Sequence, residues 1–341
     1  RQVGGALAQA GGAAVGARVE RLDGAPKVDG TERYGADEAP PGALLVRAVR
    51  APHHAARFTL GDVAAWAARH GVHVFTAADI PGRNAFGTIP AFVDQPALAS
   101  DETRFRGEAV ALVAGEPGVV EALDLAAFPV VWEPLEPVMD PSAGARTVLP
   151  LRPDNVLTQG RVARGDPEAA LAASAHVAEA TVETAFVEHA YIEPEAGVAW
   201  MDGDCLVIRA CTQAPVMDRD ETAAVLGLPT ERVRIIPSAT GGGFGSKLDL
   251  SLQPLIGLVA LKTGRPARMV YTRPESMAST TKRHPARMTA RIGCDATGRV
   301  TGMIFDGVFE TGPYASWGPT VATRVPVHAS GPYATPAYRA S

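Results

Sequence analysis

Gly241-Gly242-Gly243-Phe244-Gly245-Ser246-Lys247 stands between an apolar run that ends at Pro237 and a segment with Leu252, Leu255, Ile256 and Val259. The residues 232–237 read as a strand. The spacing i, i+3, i+4, i+7 downstream reads as one apolar helix face, and Gly264 is its natural stop. Glycines let such a loop take positive φ and let a ligand approach main-chain N–H groups closely. The N-terminus of a helix following the loop would add a field that favours anions or oxo groups. A phosphate-binding P-loop requires G-K-[ST], but Ser246-Lys247-Leu248 stands here. A dinucleotide fingerprint requires G-x-G-x-x-G, but glycines 241, 243 and 245 give G-x-G-x-G. Both nucleotide readings are therefore poor, and taken alone the loop is equally consistent with a plain tight connection.

Working outward, residues 197–200 and Cys205–Ala210 read as an antiparallel pair, followed by Thr212-Gln213-Ala214-Pro215 and a helix over 217–227 closed by Gly227. A neutral amide such as Gln213 donates one hydrogen bond while accepting another, which suits a metal-oxo group beside a pterin. The plainer reading makes Gln213 a cap for the next helix. Farther upstream, Asp166 caps a helix reaching Ala175, and 177–187 alternates as a strand until Glu193-Pro194 breaks the pattern. Downstream, 287–292 and Val300–Phe309 read as strands before an irregular aromatic and proline-rich tail. The N-terminal part alternates strands at Leu44–Arg50, 72–75, 110–113 and 130–132 with helices at Val63–His70 and 119–127. This order predicts an α+β chain: a loose arm over 1–20, a small α/β unit over 21–140, a proline-punctuated linker over 141–164, and a larger α+β unit over 165–341.

Composition excludes several classes. The chain has 341 residues, with 46% hydrophobic and 20% charged, an ordinary globular balance. A net charge of −5 argues against a nucleic-acid surface. Three cysteines without a C-x-x-C pair can build neither a structural zinc site nor an iron–sulfur cluster, and a reducing cytoplasm is the expected compartment. No apolar stretch reaches the roughly 18 residues of a membrane helix. His53-His54 and the Glu188-His189 to Glu193 stretch are weak metal-ligand patterns, because the segment reads as strand. Lys282-Arg283-His284 reads as a solvated turn.

Several motifs in one order carry a resemblance: Lys27-Val28-Asp29-Gly30-Thr31, Arg106-Gly107-Glu108-Ala109-Val110-Ala111-Leu112-Val113, Val187-Glu188-His189-Ala190-Tyr191-Ile192-Glu193-Pro194, Thr212-Gln213, the glycine loop and Arg283-His284-Pro285. Together they resemble the molybdenum hydroxylase family of xanthine dehydrogenase and aldehyde oxidase type, over about residues 20–340. The resemblance implies a hammerhead-like domain over 21–140, then the first part of the molybdopterin-binding domain, incomplete without a partner chain. It implies a molybdenum-pyranopterin cofactor, with the cytosine dinucleotide form as an option, held through hydrogen bonds rather than protein metal ligands. Gln213 and Phe244 would lie near the molybdenum, with Gln213, Gly243, Phe244 and Gly245 as the cofactor wall. Arg324, in Thr323-Arg324-Val325, would face the substrate as a catalytic cation, its bland alternative being a solvated loop arginine.

Departures from the family pattern shape the substrate expectation. Leu248 stands where xanthine enzymes carry a purine-reading glutamate, and leucine cannot hydrogen-bond. The stretches Gly245-Ser246-Lys247-Leu248-Asp249-Leu250-Ser251 and Gly312-Pro313-Tyr314-Ala315-Ser316-Trp317 look like the nicotinate dehydrogenase branch, whose molybdenum polypeptide is split in two. The family's general-base glutamate is not found here, so the chain is expected to need a second molybdopterin-subunit half, together with iron–sulfur and FAD subunits. The implied reaction is hydroxylation of an electron-poor carbon of an N-heteroaromatic substrate, nicotinate-like or purine, with water as oxygen source. Aldehyde oxidation is the near alternative. A non-catalytic scaffold half completing the cofactor cavity is the alternative from another class.

Overall fold

A computed structural model describes residues 15–17, 19–139, 147–148 and 154–341. Most of the expected arm over 1–20 and much of the expected linker over 141–164 lie outside the described residues. The end of that linker is not irregular, because Val162–Arg164 forms a strand, β7.

The chain places its strands in three sheets. The N-terminal part supplies α1 (Gly24–Asp29), β1 (Leu44–Arg50), β2 (Ala56–Leu60), α2 (Val63–His70), β3 (His73–Thr76), β4 (Glu102–Thr103), β5 (Ala109–Gly115), α3 (Pro117–Ala122) and β6 (Val130–Pro134). The later part adds α4 (Pro167–Ala172), β8 (His176–Thr184), β9 (Ala196–Asp202), β10 (Cys205–Ala210), α5 (Pro215–Leu226), β11 (Val233–Pro237), α6 (Gln253–Thr263), β12 (Ala267–Val270), α7 (Arg273–Ser279), β13 (Ala286–Cys294), β14 (Val300–Phe309), α8 (Gly318–His328) and β15 (Ala337–Ala340). The largest sheet has seven strands in the order β11-β10-β9-β12-β1-β5-β3, so it draws on both parts of the sequence. Its junction is parallel, Leu44 opposite Ala267 and Leu45 opposite Arg268. β5 is buried at every position, as a strand covered on both faces must be.

Several helix ends follow their sequence signals. Asp62 accepts from the Ala65 N–H to start α2, and Gly71 ends it in the left-handed region. Gly227 and Gly264 end α5 and α6 in the same way. α6 differs from the one-faced helix expected from its spacing, because Gln253 through Ala260 are all buried. It lies between the large sheet and α5, where a Cβ on Gly257 would stand 2.9 Å from Leu226. A helix enclosed on all sides has no solvated stripe to display.

Other expectations are corrected. The helix over 119–127 is α3 plus a separate 3₁₀ turn, Leu125–Ala127, because Asp124 starts a new turn by accepting from the Ala126 N–H. The helix capped by Asp166 stops at Ala172, and β8 stops at Thr184. The proline-rich tail is not irregular: it forms α8 and β15. Pro326 inside α8 is buried, and its carbonyl accepts from Tyr338 Oη at 2.6 Å, so tertiary packing holds a helix that local propensity would break. β15 exists through its neighbours, running parallel to β14 and antiparallel to β7. No helix among the described residues is long and apolar enough to cross a membrane.

Candidate active site

β10 and β11 run side by side and parallel, with Ala210 opposite Pro237. Parallel neighbours need a crossover, here α5, so both carboxyl ends open on the same edge of the sheet. That geometry brings residue 213 to the glycine loop across about thirty residues of sequence. Open sheets bind ligands outside such strand ends.

The contact is close. Gln213 N donates to Lys247 O at 2.9 Å, and Gly245 N donates to Gln213 Oε1 at 3.0 Å. A Cβ on Gly243 would stand 2.4 Å from that same Oε1, so a side chain there would push the Gln213 amide aside. Gln213 is not the helix cap: α5 begins after Ala214, with no side-chain cap. With Oε1 engaged by an N–H, the Nε2 end of the exposed amide is left as a pure donor. The N–H groups of Gly243 and Phe244 donate to no acceptor among the described residues. Phe244 has φ 54° and Gly245 φ 98°, and the Phe244 ring is 74% exposed.

The helix-dipole expectation is corrected. A 3₁₀ turn, Ser246–Leu248, follows the loop, and α6 starts only at Gln253. The donors of the site are therefore individual N–H groups rather than the end of a long helix.

Beneath the loop lies an ion pair that sequence patterns did not reveal. Lys247 Nζ donates to Glu193 Oε2 and to Glu193 O, both at 2.9 Å, with side chains 2% and 9% exposed. Gly241 N donates to Glu193 Oε2 at 2.8 Å and Gly35 N to Oε1 at 3.0 Å. The Lys247 ammonium also stands 4.6 Å from the centroid of the Tyr191 ring. Glu193 thus grips the first and last residues of the loop. Its sequence signal was slight: a lysine just before an apolar helix, 54 positions from its partner. Tyr191 Oη donates to Glu195, and burial, reinforced by that carboxylate, pushes the phenol up to about 12. Lys282 is not in a solvated turn, since it pairs with Glu188 at 2.7 Å with side chains 6% and 11% exposed. Among the described residues no group of three His, Cys, Asp or Glu side chains could hold a metal ion.

Leu248 closes the 3₁₀ turn, half-buried. Arg324 stands exposed on α8, and no hydrogen bond or ion pair ties its guanidinium to the Gln213 group. A cavity of about 380 Å³ lined by Leu60, Thr76, Ala77, Ala78, Asn84, Ala99 and Ser100 carries no titratable side chain and shares no residue with this site.

Residues 148–341 match the molybdopterin cofactor-binding domain, and residues 29–133 match the a/b hammerhead domain of aldehyde oxidase and xanthine dehydrogenase. The chain belongs to the molybdenum hydroxylase family. It is 38% identical over 94% of its length to the nicotinate dehydrogenase large molybdopterin subunit of Eubacterium barkeri, of which it covers 76%. It is 36% identical to a probable xanthine dehydrogenase polypeptide of Bacillus subtilis, over 94% of this chain and 43% of that one. Among solved structures, the aldehyde oxidoreductase of Desulfovibrio gigas superposes with a TM-score of 0.86 at 26% identity, covering 94% of this chain and 37% of that one. The chain therefore spans less than half the length of the second and third of these molybdenum hydroxylase relatives. The donors fit a cofactor rich in acceptor atoms, since two N–H groups unused among the described residues and one outward amide NH₂ meet beside a glycine whose missing side chain leaves the Gln213 amide in place.

Proposed function

We propose that this chain forms one wall of a molybdenum-pyranopterin site in an enzyme that hydroxylates a ring carbon of an N-heteroaromatic acid of nicotinate type. The observation that carries the reading is Gln213: Gly245 N occupies its oxygen, so its NH₂ is presented beside the free Gly243 and Phe244 N–H groups. Bound there, the molybdenum group supplies the redox chemistry, in which a C–H carbon and water become a C–OH carbon with release of two electrons and two protons. Gln213 Nε2, Gly243 N and Phe244 N hold acceptor atoms of that group. Leu248 offers an apolar edge to the ring, and Arg324 offers a cation to the carboxylate. The electrons leave to iron–sulfur and FAD groups on partner subunits, and a second molybdopterin-subunit half covers the exposed side of the loop. The cytosine dinucleotide form of the pterin, the division into units over 21–140 and 165–341, and a cytoplasmic hetero-oligomer belong to the same reading.

Co-expression with the partner subunits tests it. Molybdenum should be low in the single chain and near stoichiometric in the assembly. The assembly should turn over nicotinate more efficiently than xanthine, nicotinamide or an aromatic aldehyde. Gln213→Ala should lower turnover or molybdenum content about tenfold to a hundredfold, the loss of one cofactor hydrogen bond of about 1–3 kcal/mol. Arg324→Met should hurt nicotinate more than its amide. Preference for the aldehyde would make the enzyme an aldehyde oxidoreductase. Full molybdenum loading without turnover on any of the four would favour the scaffold role.

A further inference from the structure

The two substrate-facing residues of the proposed pocket sit on separate elements, Leu248 at the end of the 3₁₀ turn and Arg324 on α8. Asp249 joins these elements. It is 9% exposed, and its Oδ1 accepts from Thr88 Oγ1 at 3.0 Å while its Oδ2 accepts from Ser316 Oγ. Ser316 has φ 41°, a left-handed conformation that a residue with a Cβ keeps only when its surroundings impose it. The next residue, Trp317, is the N-cap of α8. On the other side of the same segment, Ala315 N donates to both oxygens of Asp94 at 3.1 Å, and Tyr314 Oη donates to Glu108. Three buried or half-buried carboxylates therefore fix residues 314–316, and Asp249 is the one continuous with the glycine loop. No cation pairs with Asp249 among the described residues, so neutral donors alone compensate its burial. A carboxylate suits this task, because each oxygen accepts from a different segment.

We propose that Asp249 is a positioning residue of the substrate pocket: it sets the start of α8 against the turn that bears Leu248, and so sets where Arg324 meets an anionic substrate group. This rests on the reading of Leu248 and Arg324 as pocket residues. Position along a helix is inherited from its start, and Arg324 lies about 10 Å beyond Trp317 at about 1.5 Å per residue. Thr88 brings the N-terminal part of the chain into the same clamp.

The test uses the assembled enzyme carrying Asp249→Ala, Asp249→Asn or Thr88→Val, with hydrogen exchange over residues 312–324, molybdenum content, and KM and kcat for nicotinate and nicotinamide. Asp249→Ala should speed exchange over 312–324 and raise the KM for nicotinate about tenfold, with kcat altered less than about threefold and the amide little affected. Molybdenum content should hold, because Glu193 and Lys247 still grip the loop. Asp249→Asn should recover most of the loss, since a hydroxyl can turn to accept from an amide, and Thr88→Val should fall between the two. Unchanged exchange over 312–324, equal losses on acid and amide, or loss of molybdenum in step with activity would each overturn the proposal. Wild-type enzyme indifferent to the carboxylate would overturn the pocket reading itself. That failure is told apart from failure of the clamp, because exchange answers for Asp249 whatever the substrate.

Discussion

On its inner side the loop over 241–247 rests on Glu193, whose two oxygens accept from Gly35, Gly241 and Lys247. On its outer side Phe244 is 74% exposed, and its N–H, like that of the buried Gly243 before it, goes unused among the described residues. Residues neighbouring both sides repeat the contrast: Ile192 beside Glu193 is 91% exposed, and Val216 beyond Gln213 is 61% exposed. Buried polar groups are ordinarily satisfied and exposed turns are ordinarily polar. Here the hidden carboxylate of Glu193 has partners on both oxygens, while the open side is apolar with idle donors. The inner side holds a shape, and the outer side is shaped for contact.

Breaking the inner side should have the largest effect. Lys247→Met would leave Glu193 as a buried carboxylate without its cation, at a cost of about 3–5 kcal/mol. Denaturant unfolding measures this directly. The double variant Lys247→Met with Glu193→Gln should recover much of the loss, because the uncompensated charge is then gone. A single-variant cost below about 1 kcal/mol would mean that the pair does not hold the loop.

A second test works through pH at the root of the outer side. Asp218 on α5 lies against Thr212, the residue before Gln213, is 1% exposed, and accepts from Gln253 Nε2 at 3.0 Å. Burial pushes its carboxyl up to about 7, against hydrogen bonds from Thr212 and Gln253. A raised carboxyl binds its proton more tightly in the fold than in the unfolded chain. Its contribution to stability is therefore complete below about pH 4 and is lost as the pH climbs through about 7. Asp218→Asn should match wild type near pH 4 and exceed it by up to about 4 kcal/mol at about pH 8, about 1.4 kcal/mol for each unit of the rise. Parallel pH profiles for the two proteins would show that Asp218 ionises without cost.

The same division separates what the sequence made legible from what it did not. β1, α2, β10 and β14 occupy their expected residues because alternation and capping are local properties. β12 was missed although it lies in the middle of the large sheet, since four residues carry no period and it is β1 and β9 that make it a strand. α8 was hidden by Pro326, whose place depends on Gly160 and Tyr338. In the site, Gln213 and the glycines were legible as motif residues, and their meeting follows from one crossover. Glu193 with Lys247 and Asp249 with Ser316 were not legible, because a long-range pair leaves no periodic trace and burial is decided by the whole fold.

The smallest expected effect sharpens the comparison most. Phe244 has φ 54°, a conformation that costs an L-residue about 1–2 kcal/mol and costs glycine almost nothing. Phe244→Gly would relieve that cost while adding roughly 0.5–1 kcal/mol of unfolded-state entropy, and it removes a ring that is mostly exposed. The opposing terms leave the stability of the isolated chain within about 0.5 kcal/mol of wild type. Phe244→Val should instead lose about 1–2 kcal/mol, because β-branching is poorly tolerated at positive φ. If the ring belonged to the inner side, its removal would open a cavity and cost about 3–5 kcal/mol. In the assembled enzyme the expectation changes: a ring that closes over a cofactor or a second chain becomes buried there, so Phe244→Gly should then weaken assembly or molybdenum retention while leaving the isolated chain intact. A glycine variant neutral in both settings would mean that Phe244 is an idle surface residue and that contact on the outer side is made by its backbone alone.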